Sequence, residues 1–259
     1  MKMPRTILLA AGAALMPLAT DSSRATEPMR ASVVLVHGAF ADGSSWNKVI
    51  PSLQAKGVEV LSVQKPLTSL EDDVAFARRA IDRARGPVVL VGHSWGGTVI
   101  TQAGGHPKVK ALVYVAAFAP GKGQSTLDLA KAYPTPPGLA APEVDAEGFL
   151  RLSADTVARH FAQDATAEEK NLMAISQGAV RGANFEQKVA GAAWETRPSW
   201  AVVTEEDHMI DPRLLRDMAV RINARVVSVP TGHVPMLTRP DAVADVIAEA
   251  AESVARPAR

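Results

Sequence analysis

Gly92-His93-Ser94-Trp95-Gly96 is the densest chemical signal in the chain. A serine with glycines two residues away on both sides suits a tight strand-to-helix turn that pushes its hydroxyl outward. Such a hydroxyl serves acyl transfer if a base takes its proton and a carboxylate orients that base. Gly97 extends the pattern, and the run Val88 to Val91 reads as the strand that the turn needs. Taken alone, the motif is also compatible with a glycine-rich turn holding an incidental serine.

The base is chosen among six histidines. His37 and His93 sit in glycine-rich loops, His106 precedes a proline, His160 falls in an irregular middle segment and His208 adjoins a group of acids. Only His233, in Thr231-Gly232-His233, follows the last strand-like run and precedes the final helical pattern. Loop histidines are ordinarily solvated; His233 gains weight from its place in the order Ser, Asp, His. The acid follows the run Trp200 to Thr204, where Glu205, Glu206, Asp207 and Asp211 compete. Glu205 and Glu206 lie close to the strand, and Asp211 stands before Pro212, where a helix N-cap accounts for it. Asp207 is the expected orienting carboxylate.

Attack on a carbonyl creates an oxyanion, which two backbone N–H groups fixed in advance stabilise. Trp95, next to the serine, is expected to supply one. Ala39, in His37-Gly38-Ala39-Phe40, is expected to supply the other. Phe40 and His93 are the residues expected at the substrate pocket. By itself this loop is also an ordinary strand-to-helix turn.

Elements must bring these loops to one place. Val33 to Val36, Val58 to Val63, Val88 to Val91, Ala111 to Ala117, Trp200 to Thr204 and Arg225 to Val229 read as strands. Between them, helical patterns cover Ser45 to Lys56, Leu70 to Ala84, Val99 to Ala103, Pro212 to Asn223 and Pro240 to Val254. Glu71, Asp72 and Asp73 open the second helix, where acids suit the helix dipole. Strands alternating with helices predict a mostly parallel sheet covered on both faces. From Pro120 to Pro198 the alternation stops. Helical patterns at Ala154 to Gln163, Ala167 to Gln177 and Phe185 to Ala193 predict a helical cap over residues 121–197. Its aromatic and apolar residues, Phe161 and Met173 among them, serve either as pocket walls or as the cap's own core.

The composition fits one globular domain. The chain has 259 residues, 47% of them hydrophobic and 21% charged. Lys plus Arg number 28 against 27 acids, so no basic excess points to nucleic acid. Cysteine is absent, which excludes disulfides, thiolate catalysis and cysteine metal sites. No metal or organic cofactor is implied. Lys2 and Arg5, the apolar run Ile7 to Ala19 and the small residues around Ser23-Arg24-Ala25 predict a signal peptide over 1–25. Export to the periplasm or medium is then expected; an uncleaved anchor or a cytoplasmic protein is the alternative. The mature chain, residues 26–259, shows no membrane span.

Leu35-Val36-His37-Gly38-Ala39 with Trp46, Gly92-His93-Ser94-Trp95-Gly96-Gly97, Thr204-Glu205-Glu206-Asp207 and Gly232-His233 resemble the α/β-hydrolase superfamily. Within it they are similar to the small branch of methylesterases and hydroxynitrile lyases and to related bacterial esterases. The likeness covers nearly everything after the leader except the cap. It implies the α/β-hydrolase fold, the acid at Asp207, the base at His233 and no cofactor. The lyases carry threonine in place of Gly38 and a lysine after the base, where this chain has Val234. That departure favours ester hydrolysis, so a carboxylesterase acting on small apolar or aromatic esters is expected. The same triad would also serve lactone or amide hydrolysis, carbon–carbon cleavage or perhydrolysis, and the fold also occurs in non-catalytic ligand-binding proteins.

Overall fold

Valine-rich runs build the centre of the molecule. The computed structural model describes residues 31–255, so the leader expected over 1–25 lies outside the described residues. β1 (Ser32–Val36) is buried along its whole length, as a strand covered on both faces must be. A 3₁₀ turn at Gly43–Trp46 leads to α1 (Ile50–Ala55). The sequence predicts a single helix from Ser45 to Lys56, and the structure breaks it. Pro51 has no N–H for the carbonyl four residues back and is tolerated only in the first turn, where α1 places it. β2 (Glu59–Val63) is followed by α2 (Leu70–Arg83), which Ser69 caps by accepting the N–H of Asp72. Leu70, Val74, Ala77 and Ile81 form its buried stripe. β3 (Val88–His93), α3 (Trp95–Ala103) and β4 (Val109–Val115) complete the first half.

The chain then leaves the sheet. α4 (Thr126–Ala130) opens the excursion with a capping box between Ser125 and Asp128. Short strands β5 (Glu143–Val144), β6 (Phe149–Arg151) and β7 (Val180–Arg181) pair antiparallel in that order. α5 (Ala154–Thr156) runs into a π-helical turn at Val157–Phe161, and α6 (Ala167–Ser176) carries a second capping box, Thr166 with Glu169. The insertion is therefore not purely helical as expected; strands of two or three residues are too short to leave an alternating pattern. Nor is Phe185 to Ala193 one helix. The chain makes a 3₁₀ turn at Gly182–Glu186 and extends at Gln187. Val189 and Ala190 then donate their N–H groups outward, to Gln124 O at 3.0 Å and Gln102 Oε1 at 2.8 Å.

β8 (Ser199–Thr204), α7 (Pro212–Arg221), β9 (Arg225–Val229), α8 (Pro235–Thr238) and α9 (Pro240–Ala255) resume the alternation. The six core strands lie in the order β2-β1-β3-β4-β8-β9 and every neighbouring pair is parallel. All their carboxyl ends therefore open on one edge. Chain order reverses at β1, which pairs with β2 on one side and β3 on the other. A crevice for a ligand forms at the carboxyl ends beside such a reversal. The loops after β1, β3, β8 and β9 all emerge on that edge, and they carry His37 to Phe40, Ser94, Asp207 and His233. Among the described residues no helix is long and apolar enough to cross a membrane.

Candidate active site

Ser94 sits between the end of β3 and the start of α3 with φ 52 and ψ −121, a left-handed backbone that non-glycine residues seldom adopt. Such strain costs about 1–3 kcal/mol and persists only when the surroundings enforce it. Here they do. Ser94 N–H donates to Val115 O at 3.3 Å, and its carbonyl accepts from Gly97 N at 2.9 Å and Phe118 N at 3.2 Å. Gly96 lets the new helix pass β1 closely, since a Cβ there would lie 2.5 Å from Val36 O. Ser94 Oγ has no hydrogen-bond partner among the described residues. It belongs to the least enclosed of the three expected residues, 8% exposed against 5% for Asp207 and 1% for His233.

Asp207 gathers four donors. Its Oδ2 accepts from His233 Nδ1 at 2.8 Å and from Thr204 Oγ1 at 2.7 Å. Its Oδ1 accepts from the N–H groups of Met209 at 2.8 Å and Ile210 at 2.9 Å. Burial alone would raise its pKa. The charge and hydrogen bond of His233, with the bonds from Thr204 and Ile210, outweigh burial and hold the carboxyl below its ordinary range. A carboxylate cannot donate, so the proton of this bond belongs to His233 Nδ1, and in the neutral imidazole the lone pair is then on Nε2. The competing acids are occupied elsewhere. Glu205 pairs with Arg216, Glu206 is exposed, and Asp211 caps α7 by accepting from Arg213 N at 2.8 Å.

His93 and Phe40, both expected at the pocket, are placed differently. His93 is fully buried, its ring centroid 4.7 Å from that of His233, and its Nε2–H donates to the His233 carbonyl at 2.8 Å. Burial first, then the neighbouring His233 charge, pushes its pKa down to about 3, so it is neutral. It packs behind His233 rather than walling a pocket. Phe40, at φ 55, lines a pocket of about 190 Å³ with Ala41, Lys48, Leu172, Met173 and Leu237. Its ring meets Phe161 at 6.4 Å, and Phe161, on the π-helical turn, meets His233 at 5.3 Å. Gly38 closes the loop onto the serine: a Cβ there would lie 2.9 Å from both Ser94 Cβ and His93 Nδ1. Of the expected oxyanion donors, Trp95 follows Ser94 directly at the start of α3, and Ala39 follows Gly38 in this loop.

The alpha/beta hydrolase family model matches residues 33–246. The chain belongs to this family. It is 28% identical over 245 residues to the carbendazim hydrolyzing esterase of Nocardioides sp. (strain SG-4G), covering 84% of this hydrolase and 98% of that enzyme. It is 25% identical over 250 residues to Methylesterase 8 of Arabidopsis thaliana, covering 86% and 90%. Among solved structures it is similar in fold to a pyrethroid hydrolase from Sphingobium faniae JZ-2, with a TM-score of 0.73, 23% identity and coverage of 86% and 98%.

Some residues at the site of this hydrolase leave little trace in the sequence. Thr204 ends β8 and reads as a strand residue, yet its hydroxyl fixes Asp207. Gln163 and Asp164 stand in the insertion. Gln163 Nε2 donates to Glu206 O at 2.7 Å, and Asp164 Oδ2 accepts from Thr231 Oγ1 at 2.7 Å and Gly232 N at 2.5 Å. They clip the insertion to the loops that carry Asp207 and His233. Contacts between residues so far apart in sequence leave no local pattern.

Proposed function

We propose that this hydrolase, which acts on ester bonds, is a carboxylesterase for small apolar or aromatic esters, working through Ser94, His233 and Asp207. The observation that carries the reading is the 2.8 Å bond from His233 Nδ1 to Asp207 Oδ2, which leaves Nε2 as the basic nitrogen on the carboxyl edge of the sheet. In this mechanism Nε2 takes the Ser94 proton as Oγ attacks the ester carbonyl. Asp207 holds the ring and stabilises the imidazolium that forms. The N–H groups of Ala39 and Trp95 take the oxyanion. His233 returns the proton to the leaving alcohol, and water cleaves the acyl-enzyme by the same route. The apolar preference is supported by Phe161 beside His233, with Phe40 packed against Phe161, and by the relatives' names, which refer to carbendazim and pyrethroid hydrolysis.

Labelling with a fluorophosphonate and mapping the modified peptide tests the reading. The label is expected on Ser94, and Ser94→Ala should lose it together with hydrolysis of p-nitrophenyl acetate while remaining folded. A Ser94→Ala protein with full activity would overturn it.

A further inference from the structure

The elbow and the loop after β1 are tied together below the site by a buried ion pair. Asp73, in the first turn of α2, and Lys65, in the loop after β2, have side chains wholly removed from solvent and lie 3.0 Å apart. Asp73 Oδ2 accepts from Lys65 Nζ and, at 2.8 Å, from the indole Nε1 of Trp95, while Oδ1 accepts from Leu67 N at 2.9 Å. Trp95 is the residue whose main-chain N–H begins α3 beside Ser94. Lys65 extends the network the other way. Its main-chain N–H donates to His37 Nε2 at 3.3 Å, and His37 Nδ1–H donates to the carbonyl of Gly38 at 2.8 Å. The two bonds agree on one tautomer, with Nε2 accepting and Nδ1 donating. Burial and the neighbouring Lys65 charge hold His37 well below its ordinary pKa, so it stays neutral and the arrangement is kept.

A buried ion pair loses much of its attraction to desolvation and is a poor source of stability compared with apolar packing. Its position between two loops gives it another use. From the one carboxylate, a single bond reaches Trp95 and three reach Gly38. We infer that Asp73 is a positioning residue that holds the two oxyanion N–H groups, those of Trp95 and Ala39, at a fixed separation. The inference rests on the reading of Ser94 as nucleophile. Oxyanion donors act because they are set before the charge develops. Loosening their frame should therefore weaken transition-state binding and leave ground-state binding of ester largely untouched.

The test uses Asp73→Asn and Trp95→Phe, with Ser94→Ala alongside. Trp95→Phe removes the indole N–H but keeps an aromatic ring against Phe185, whose ring lies 5.5 Å from that of Trp95. It thus probes the link even if Asp73→Asn fails to fold. Hydrolysis of p-nitrophenyl acetate and the rate of fluorophosphonate inactivation are measured on each protein, with thermal melting as the check on folding. Both folded variants are expected to lose about 10- to 100-fold in kcat, with KM changed by less than about threefold and inactivation slowed in parallel. A lower melting temperature with unchanged kcat and inactivation rate would make the pair a fold anchor only and overturn the inference. A fully active Ser94→Ala would instead overturn the nucleophile assignment, and the inference would fall with it; the two failures are read from different proteins.

Discussion

His93 lies behind His233 with ring centroids 4.7 Å apart and donates Nε2–H to the His233 carbonyl at 2.8 Å. The residue before the serine thus fixes the backbone of the expected base. Asp207 holds the imidazole from its Nδ1 side, and the main chain behind that ring depends on His93. Replacing His93 by Phe keeps a flat ring but leaves the buried carbonyl without this donor, at a cost of about 1–3 kcal/mol. A kcat roughly tenfold lower, with KM little changed, is the expected result in steady-state ester hydrolysis. An unchanged kcat would show that the base does not need this support.

The same histidine is expected to make the protein acid-sensitive. The unfolded chain protonates His93 at the ordinary value of 6.5, whereas in the fold burial, reinforced by the His233 charge, delays protonation to about 3. Below 6.5 the unfolded state holds more protons, so its contribution to stability is complete above 6.5 and falls as pH is lowered toward 3. One such histidine is worth about 2 kcal/mol between its ordinary pKa and a pH near 5. Carboxylates titrate lower and leave this window to histidines. Urea unfolding at mildly alkaline and mildly acidic pH should give a lower midpoint in acid, and His93→Phe should narrow the difference. A gap unaltered by the substitution would assign the effect elsewhere, with His37 as the next candidate.

The four acids after β8 can be separated by substitution. Asp207→Asn keeps the shape but presents a group that donates as well as accepts, which disturbs the His233 tautomer; a loss of about 10⁴ in kcat is expected. Glu205→Gln and Glu206→Gln should stay within about twofold of wild type, because one makes a surface ion pair and the other is exposed. Asp211→Asn should also keep its kcat, since asparagine caps a helix about as well as aspartate. Steady-state rates for the four single variants decide the matter. A large loss in Glu205→Gln or Glu206→Gln would move the acid away from Asp207.

Much of this was legible in the sequence because it is local. A glycine-flanked serine after a valine run, and a histidine between the last strand and last helix, occupy fixed offsets from elements that periodicity reveals. Asp211 before Pro212 reads as the N-cap it is. Pairings across the fold leave no such mark. Asp73 sits in an acid run that suits a helix dipole, and its actual place shows only in its spacing from Ala77, one turn on along the buried stripe of α2. His93 looks like a loop residue until the return of β9 brings His233 over it. The strands of the insertion are too short to show a period, and Pro51 splits a helix whose apolar spacing by itself suggests continuity.

The insertion bears on the His233 loop through Asp164. Its Oδ2 accepts from Thr231 Oγ1 and from the N–H of Gly232, the two residues before His233, while neighbouring Gln163 holds Glu206 next to Asp207. A side chain at Gly232 would have to displace Gln163, because a Cβ there would lie 2.3 Å from Gln163 Nε2. A carboxylate accepting a main-chain N–H at this point fastens the insertion to the chain just before His233. Asp164→Ala removes that tie without touching Ser94, His233 or Asp207. The expected outcome is a melting temperature lower by about 2–4 °C, a reduced kcat and faster proteolysis within residues 121–197. Asp164→Asn retains one accepting oxygen and should recover most of the loss. Equal kcat in wild type and Asp164→Ala would show that the insertion covers the base without holding it.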